Sequence, residues 1–254
     1  MKYFNTIEKS QLYYGDNLEV MDDLPAYSID LIVTDPPYNF TKANCTKMYK
    51  ETSKKLMSKS GLYDYDDDTD ECRIKAGFGK EDIYRWLNMT PRLMKKMNAY
   101  IFCSEAQVPI YAQWAEEYCC KFSILVWEKP LTIISKSRFS QNAEFIVRIY
   151  EDGTALNKLE ECDPYNRVLH FPVVTNKKTP TQKPVDLMAR LIKLSSPVGG
   201  VVLDPFLGSG TTAVAAQRLG RKYIGIEKNQ RFFRIAENRL SEESMQMELF
   251  EVAE

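Results

Sequence analysis

The sequence is poor in the residues that bind metals. It has one histidine, His170, and none of its six cysteines forms a Cys-x-x-Cys pair. Structural zinc sites are built from closely spaced cysteine and histidine ligands, so we expect no metal site and reduced cysteines. A catalytic base at His170 is also disfavoured, because an isolated histidine is usually structural.

Long hydrophobic runs and an excess of one charge are missing as well. No stretch approaches the roughly 20 apolar residues of a membrane-spanning helix, and the first six residues lack the apolar segment of a secretory leader. The net charge is −1, so contact with nucleic acid would depend on local basic patches. We expect a cytoplasmic protein with no membrane partner, whose 254 residues fit one α/β domain.

A short hydrophobic run near the N-terminus ends in a carboxylate, two prolines and an aromatic ring. Residues 29–33 predict a buried strand, and Asp35, Pro36, Pro37 and Tyr38 follow it. Pro36 cannot continue a β-ladder and favours an extended Asp35. Asp35 would therefore leave the sheet at a carboxyl strand end, where open α/β sheets bind ligands. These four residues suit a planar, amine-bearing substrate, but fit a capped Pro-Pro turn equally well.

A second pattern lies near the C-terminus. The predicted strand 201–203 leads into Asp204-Pro205-Phe206-Leu207-Gly208-Ser209-Gly210-Thr211-Thr212, a helix follows over 213–219, and the next strand ends at Glu227. This order is typical of a nucleoside-binding half-fold, in which an acid about 20 residues beyond the glycines binds the ribose. The loop lacks both standard phosphate-binding patterns, and Asp204 would repel a pyrophosphate. It favours a cationic, phosphate-free ligand such as S-adenosylmethionine, although a simple tight turn remains an alternative.

Hydrophobic spacing predicts the remaining elements. Strands are expected at 12–14, 100–103, 122–127 and 145–150, and helices at 17–23, 83–97 with a break at Pro91, 105–118 and 184–194. Asp16 follows the first strand and is either a ligand-binding acid or a helix cap. Residues 39–80 hold a lysine-rich half and an acidic half, which predicts a loop that meets phosphates or is merely solvated.

The two patterns in this order closely resemble the DNA amino-methyltransferases that act on N6 of adenine or N4 of cytosine, in their circularly permuted β class with the Asp-Pro-Pro-Tyr motif. Thr181-Gln182-Lys183-Pro184 resembles the family segment before the cofactor loop, and Gly15-Asp16 resembles its early acidic motif. Asn142-Ala143-Glu144-Phe145 is similar to a later motif, with Glu144 one place early. Thr179 stands where the family commonly has a histidine. Residues 39–80 and 151–178 lie outside the resemblance.

The resemblance implies an α/β, Rossmann-like methyltransferase fold with a mixed seven-stranded sheet and helices on both faces. We expect one methyltransferase domain over residues 1–254, with a charged insertion at about 39–80 and a small target-recognition region at about 151–180. Asp35, Pro36, Pro37 and Tyr38 would be catalytic. The implied residues for S-adenosylmethionine are Asp16, Thr181, Lys183, Asp204, Phe206, Gly208, Ser209, Gly210, Thr211, Thr212 and Glu227. The residues expected to contact DNA are Lys42, Lys47, Lys136 and Arg138.

The implied reaction is methyl transfer to N6 of adenine in double-stranded DNA, after the base has been flipped from the duplex. Asp35 and the Pro36 carbonyl would accept the amine N–H bonds, and Tyr38 would stack on the base. An aspartate at the first motif position favours adenine by resemblance. N4 of cytosine is the alternative target, and a catalytically silent nucleic-acid-binding subunit is the alternative from another class. A homodimer and a cognate restriction endonuclease are possible partners.

Overall fold

A computed structural model describes residues 7–38, 78–130, 139, 142–154, 156–159, 165–175, 177–179 and 182–251. The strands are β1 (Gln11–Tyr14), β2 (Leu31–Thr34), β3 (Asn98–Cys103), β4 (Lys121–Glu128), β5 (Ala143–Tyr150), β6 (Val168–His170), β7 (Val201–Asp204) and β8 (Lys222–Glu227). The helices are α1 (Asn17–Asp23), α2 (Lys80–Leu87), α3 (Thr90–Leu93), α4 (Val108–Glu117), α5 (Val185–Ser195), α6 (Thr211–Arg218) and α7 (Gln230–Glu251). None of these helices is long and apolar enough to span a membrane.

The strands form one mixed sheet in the order β1-β8-β7-β2-β3-β5-β4-β6. Neighbouring strands run parallel except at β5, which is antiparallel to both β3 and β4. From β2 the chain continues to β3 on one side, and from β7 it continues to β8 on the other. The strand order therefore reverses between β7 and β2, where doubly wound sheets form their ligand-binding crevice.

Helices cover both faces of the sheet, and side chains alternate between the two faces along each strand. Ile32 and Ile101 belong to the hydrophobic layer that also contains residues of α1 to α4. Leu31 and Phe102 belong to the opposite layer, with residues of α5 and α6. Every residue of β2, β3 and β7 is buried, as expected for parallel strands between two helical layers.

The elements predicted from hydrophobic spacing are confirmed, with ends shifted by a few residues. The predicted helix 83–97 is split into α2 and α3, and Pro91 lies in the first turn of α3, where its missing N–H costs nothing. Asp16 is the N-cap of α1, since its carboxylate accepts from the Leu18 N–H at 2.9 Å.

Two elements differ from expectation. Among the described residues the sheet has eight strands instead of seven, because β6 pairs in parallel with β4 inside the region of about 151–180, where no strand is predicted. Of its three residues only Leu169 is buried, so its hydrophobic pattern is too short to predict a strand. His170 of β6 has an acidic partner after all, since its Nδ1 lies 2.9 Å from Glu128. Helix α7 lies beyond the last motif residue, Glu227, and no motif predicts it.

Candidate active site

Four acids stand at the carboxyl ends of adjacent strands. Asp16 and Asp35 come shortly after β1 and β2, while Asp204 and Glu227 are the last residues of β7 and β8. These strands are parallel neighbours in the order β1-β8-β7-β2. The sheet therefore brings all four acids to one edge.

The glycine loop after β7 is held by Glu227. The two carboxylate oxygens accept from the Gly208 N–H at 2.8 Å and the Asn229 N–H at 2.7 Å. Gly208 and Gly210 have φ of 56° and 81°, a left-handed conformation that favours glycine. A Cβ on Gly210 would lie 2.9 Å from the Ala236 Cβ. The loop therefore requires glycine at 210 because of both its backbone conformation and its packing against α7.

Arg239 of α7 supports the same loop from behind. Its guanidinium donates to the Ser209 carbonyl, to Ser209 Oγ at 3.1 Å and to Thr211 Oγ1 at 3.2 Å. Burial lowers the pKa of Arg239, although a guanidinium stays charged at any ordinary pH. No sequence motif marks this arginine, because it lies on the unpredicted helix 30 residues from Ser209.

Asp204 connects β7 to β2. Its Oδ1 accepts from Thr34 Oγ1 at 2.7 Å and from the Phe206 N–H at 3.1 Å. The side chain is buried, and this burial raises the pKa of Asp204 to about 6. Phe206 makes edge contacts with Phe78 and Trp86, each with ring centroids 5.6 Å apart. Asp204 is thus an acid held in place where the strand order reverses, next to an aromatic cluster.

Asp35 is the catalytic candidate, and its two oxygens have different surroundings. The side chain is about 20% exposed. Oδ2 accepts from the Lys183 ammonium. Oδ1 is buried, and no described residue gives it a hydrogen bond. A buried acceptor without a donor is costly unless something binds there, so Oδ1 marks a site for an N–H or O–H of a ligand.

A buried glutamine holds the backbone after Asp35. The Gln107 side-chain N–H₂ group donates to the Pro37 carbonyl at 3.1 Å and to the Phe78 carbonyl at 3.3 Å. Its oxygen accepts from the Ser104 N–H at 3.1 Å. Gln107 is completely buried, so it fixes the Asp-Pro-Pro-Tyr segment from the start of α4. It lacks a recognisable pattern of its own.

Lys183 and Glu144 lie beside Asp35. Lys183, expected among the cofactor residues, contacts Asp35 and reaches Glu144 Oε1 at 2.9 Å. The same Oε1 accepts from the Tyr38 hydroxyl, and Oε2 pairs with Lys129 at 2.7 Å. Glu144 reaches this edge because β5 runs antiparallel, so its first residues lie where the neighbouring strands end. Tyr38 and Asp35 are therefore joined through one buried charged network.

The pKa values follow from burial and from these pairs. Burial raises the pKa of Asp35, and Lys183 opposes that rise. Burial also acts to raise the pKa of Glu144, but Lys183 and Lys129 outweigh it and lower that pKa to about 2. Burial would lower the pKa of Lys183, yet Asp35 and Glu144 raise it above the ordinary value. At neutral pH the site therefore contains ionised Glu144 and Lys183.

Some predicted site residues lie outside the described part of the chain. These are Thr181 and the four residues expected to contact DNA, Lys42, Lys47, Lys136 and Arg138. Their roles stay predictions. Asp16 is placed at the site edge, and the Gly15 N–H donates to the Glu227 carbonyl at 3.1 Å. Its capping role is shown, and a role in cofactor binding stays a prediction.

Comparison with known proteins fits this geometry. A family model described as "DNA methylase" (N6_N4_Mtase) matches residues 29–238. The type II methyltransferase M2.MboI of Moraxella bovis is 30% identical, over 94% of this chain and 91% of its own length. M2.DpnII of Streptococcus pneumoniae is 28% identical, over 95% and 93%.

Solved structures agree. The complex of M1.HpyAVI with S-adenosylmethionine is 27% identical with a TM-score of 0.64, covering 90% of this chain and 98% of that one. The cytosine-N4-specific PvuII DNA methyltransferase has a TM-score of 0.69 at 15% identity, covering 91% and 86%, and shares the fold. With the family model matching most of its length, the chain belongs to the N6/N4 family of DNA methylases.

Proposed function

We propose that this protein transfers a methyl group from S-adenosylmethionine to the N6 amine of adenine in double-stranded DNA. The observation that carries the proposal is the buried, unpartnered Oδ1 of Asp35 beside Tyr38, at the edge that holds the glycine loop. Family membership supports a DNA amino-methyltransferase. The choice of adenine is supported by the aspartate at the first motif position, through resemblance alone.

The ends of β7, β8 and β1 fit the cofactor. A Cβ on Gly208 would meet no atom closer than 4.0 Å, so the open side of the loop has room for a ligand against the backbone. Asp204 and Glu227 suit an ammonium and ribose hydroxyls and would repel phosphate. Each Glu227 oxygen accepts one N–H and keeps a second lone pair for a ribose hydroxyl. When bound, S-adenosylmethionine supplies an electrophilic methyl group on a positively charged sulfur.

The catalytic residues act on the amine of the target base. An aromatic amine is a poor nucleophile because its lone pair is delocalised into the ring. Asp35 Oδ1 and the Pro36 carbonyl would each accept one N–H bond, which favours a pyramidal nitrogen and stabilises the positive charge that develops on it. Asp35 need not be a strong base, since the methylated cation loses its proton readily.

The supporting residues keep these acceptors in place. Gln107 fixes the Pro37 carbonyl, and so restricts the orientation of the neighbouring Pro36 peptide. Tyr38 offers its ring to the flipped base, whose extrusion costs a few kcal/mol that stacking and edge hydrogen bonds offset. Lys42, Lys47, Lys136 and Arg138 would contact phosphates or base edges. A homodimer and a cognate restriction endonuclease remain proposed partners.

The test is to identify the methylated base. Purified protein is incubated with S-adenosylmethionine carrying a labelled methyl group and genomic DNA of varied sequence from a host without adenine methylation. The DNA is then digested to nucleosides for mass spectrometry. We expect labelled N6-methyladenosine in its deoxy form and no labelled N4-methylcytosine. Labelled N4-methylcytosine would overturn the choice of adenine, and no label in either base would favour a silent DNA-binding subunit.

A further inference from the structure

The lysine at the catalytic aspartate has a function that can be read from its contacts. We propose that Lys183 is a positioning residue that acts on the target amine through Asp35, and that Glu144 holds Lys183 for this purpose. The proposal rests on the methyl transfer proposed above. It differs from the cofactor-binding role expected for Lys183, and the two roles predict different measurements.

Lys183 decides which oxygen of Asp35 is left for the substrate. It donates to Oδ2, while Oδ1 is buried and receives no hydrogen bond from any described residue. The terminal torsion of an aspartate side chain has only broad preferences, so an unpaired carboxylate could turn within the pocket. A cation fixed on one oxygen holds the plane of the carboxylate and presents the other oxygen to the amine.

Lys183 is itself held firmly. Its side chain is only 7% exposed, and a second hydrogen bond runs to Glu144 Oε1 at 2.9 Å. The ammonium also lies 5.2 Å from the ring centroid of Phe102 and 5.5 Å from that of Tyr38. With two carboxylates and two aromatic rings around it, the ammonium has little freedom to move toward a cofactor. Glu144 is in turn anchored by Lys129 at 2.7 Å.

The charge of Lys183 also matters, because the amine needs an ionised acceptor. Among the described residues, the titratable groups that act on Asp35 or respond to it come from six parts of the fold: Lys183, Glu144, Tyr38, Asp204, Cys103 and Tyr111. Burial raises the pKa of Cys103 to about 12 and that of Tyr111 well above its ordinary value, so both are neutral at pH 7. Glu144 and Asp204 are acids. In the part of the chain that the structure describes, Lys183 is the cation that contacts Asp35.

Without that cation, Asp35 would ionise at a higher pH. Burial and Glu144 both raise the pKa of Asp35, whereas Lys183 lowers it. Removing the ammonium leaves the two raising effects opposed only by the weaker effect of the Tyr38 hydroxyl. Methyl transfer that needs the Asp35 carboxylate should then fail at pH values where the wild-type enzyme still works.

The experiment compares Lys183→Met and Lys183→Arg with the wild-type enzyme. Affinity for S-adenosylmethionine is measured by calorimetry, and the single-turnover rate is measured on enzyme with bound DNA and saturating cofactor, across pH. We expect Lys183→Met to bind the cofactor with near wild-type affinity and to lose about 10²-fold in rate at neutral pH. The acidic limb of its pH–rate profile should move to higher pH. Lys183→Arg keeps the charge and should restore the wild-type limb.

Two controls separate this role from a structural one. Lys95→Met removes the lysine paired with Asp30 at the other end of β2, and should lower thermal stability without moving the acidic limb. Lys183→Gln keeps a hydrogen-bond donor without the charge, so it should show the same shift of the acidic limb. It replaces Lys183→Met in the experiment if the methionine variant does not fold.

Three outcomes would overturn the proposal. Cofactor affinity lowered about tenfold, with an unchanged rate and limb at saturating cofactor, would assign Lys183 to cofactor binding. A rate lowered equally at every pH would leave Lys183 a structural role only. No methyl transfer by the wild-type enzyme would overturn the proposed function first, and the role of Lys183 with it.

Discussion

Strand β2 has an aspartate directly before it and another directly after it, and each aspartate is paired with a lysine. At the amino end, Lys95 donates to both oxygens of Asp30 at 2.9 Å, and Asp30 Oδ2 also accepts from the Val201 N–H at 2.8 Å. At the carboxyl end, Lys183 uses only one oxygen of Asp35, and the other oxygen is buried without a described donor.

The difference shows how a similar pair serves structure in one place and chemistry in another. Asp30 is bonded through both oxygens, so it ties β2 to β7 and to the loop after α3. Asp35 has one oxygen, Oδ1, that accepts no hydrogen bond from a described residue. Cavities of about 240 and 200 Å³ lie at the amino end, both lined by Asp30 and Lys95, so a cavity beside a paired aspartate does not by itself indicate a catalytic site. The unused acceptor, and not the volume, marks the candidate active site.

The largest effect should come from removing the charge at each end of β2. Asp35→Asn replaces an acceptor by an amide, so we expect methyl transfer to fall by at least about 10²–10³-fold with cofactor binding retained. Asp30→Asn should leave the rate unchanged and lower the free energy of unfolding by about 1–3 kcal/mol. Rates at saturating substrates and urea unfolding check both. Near wild-type transfer by Asp35→Asn would refute the proposed mechanism.

A smaller difference in stability and cofactor affinity is expected between two glycines with left-handed backbone conformation. Gly199 lies just before β7, and Gly210 lies in the loop after it. Gly199 has φ of 73° with nothing within 4 Å of an added Cβ, whereas Gly210 has φ of 81° and Ala236 only 2.9 Å away. Alanine at either site adds backbone strain of about 1–2 kcal/mol. Only Gly210→Ala should also displace α7 from the glycine loop.

We therefore expect Gly210→Ala to weaken cofactor binding and to lose more stability than Gly199→Ala, whose cofactor affinity should match wild type. Calorimetric titration and thermal unfolding of the two variants measure this. Equal losses of affinity in both variants would contradict the idea that the packing of α7 shapes the cofactor loop.

The parts of the site that could be predicted are those whose residues are contiguous in sequence. Asp35, Asp204 and Glu227 each follow a strand whose hydrophobic run is complete, and parallel strands bring their carboxyl ends to one edge. The glycines at 208 and 210 were predictable because few other residues adopt their backbone conformation.

The rest depends on contacts between distant parts of the chain. Glu144 is 106 residues from Tyr38, and Lys183 is 148 residues from Asp35. The antiparallel direction of β5 brings Glu144 to the site, and hydrophobic spacing does not reveal strand direction. Gln107 and Arg239 act largely through backbone groups, which carry no sequence signal. Strand β6 was missed because a single buried residue makes no pattern.

The last comparison concerns Asp204, which lies at the same edge as Asp35 but is bonded more like Asp30. Burial raises the pKa of Asp204 to about 6 from its ordinary 3.8. Between these values the native state binds a proton that the unfolded chain does not, so the stability contributed by Asp204 is present below about pH 4 and is lost as pH rises to about 6. Asp204→Asn has no such dependence, and its amide oxygen can still accept from Thr34.

The wild-type protein should therefore gain stability relative to Asp204→Asn on going from pH 7 to pH 4.5, by about 1–3 kcal/mol. Urea unfolding of both proteins at the two pH values measures this difference. Glu144 titrates equally in both proteins, so its contribution cancels. A difference that stays constant with pH would mean that Asp204 is ionised throughout. Asp204 would then be a second charged acid beside Asp35, where the strand order reverses. The ammonium group of the cofactor could then pair with either carboxylate.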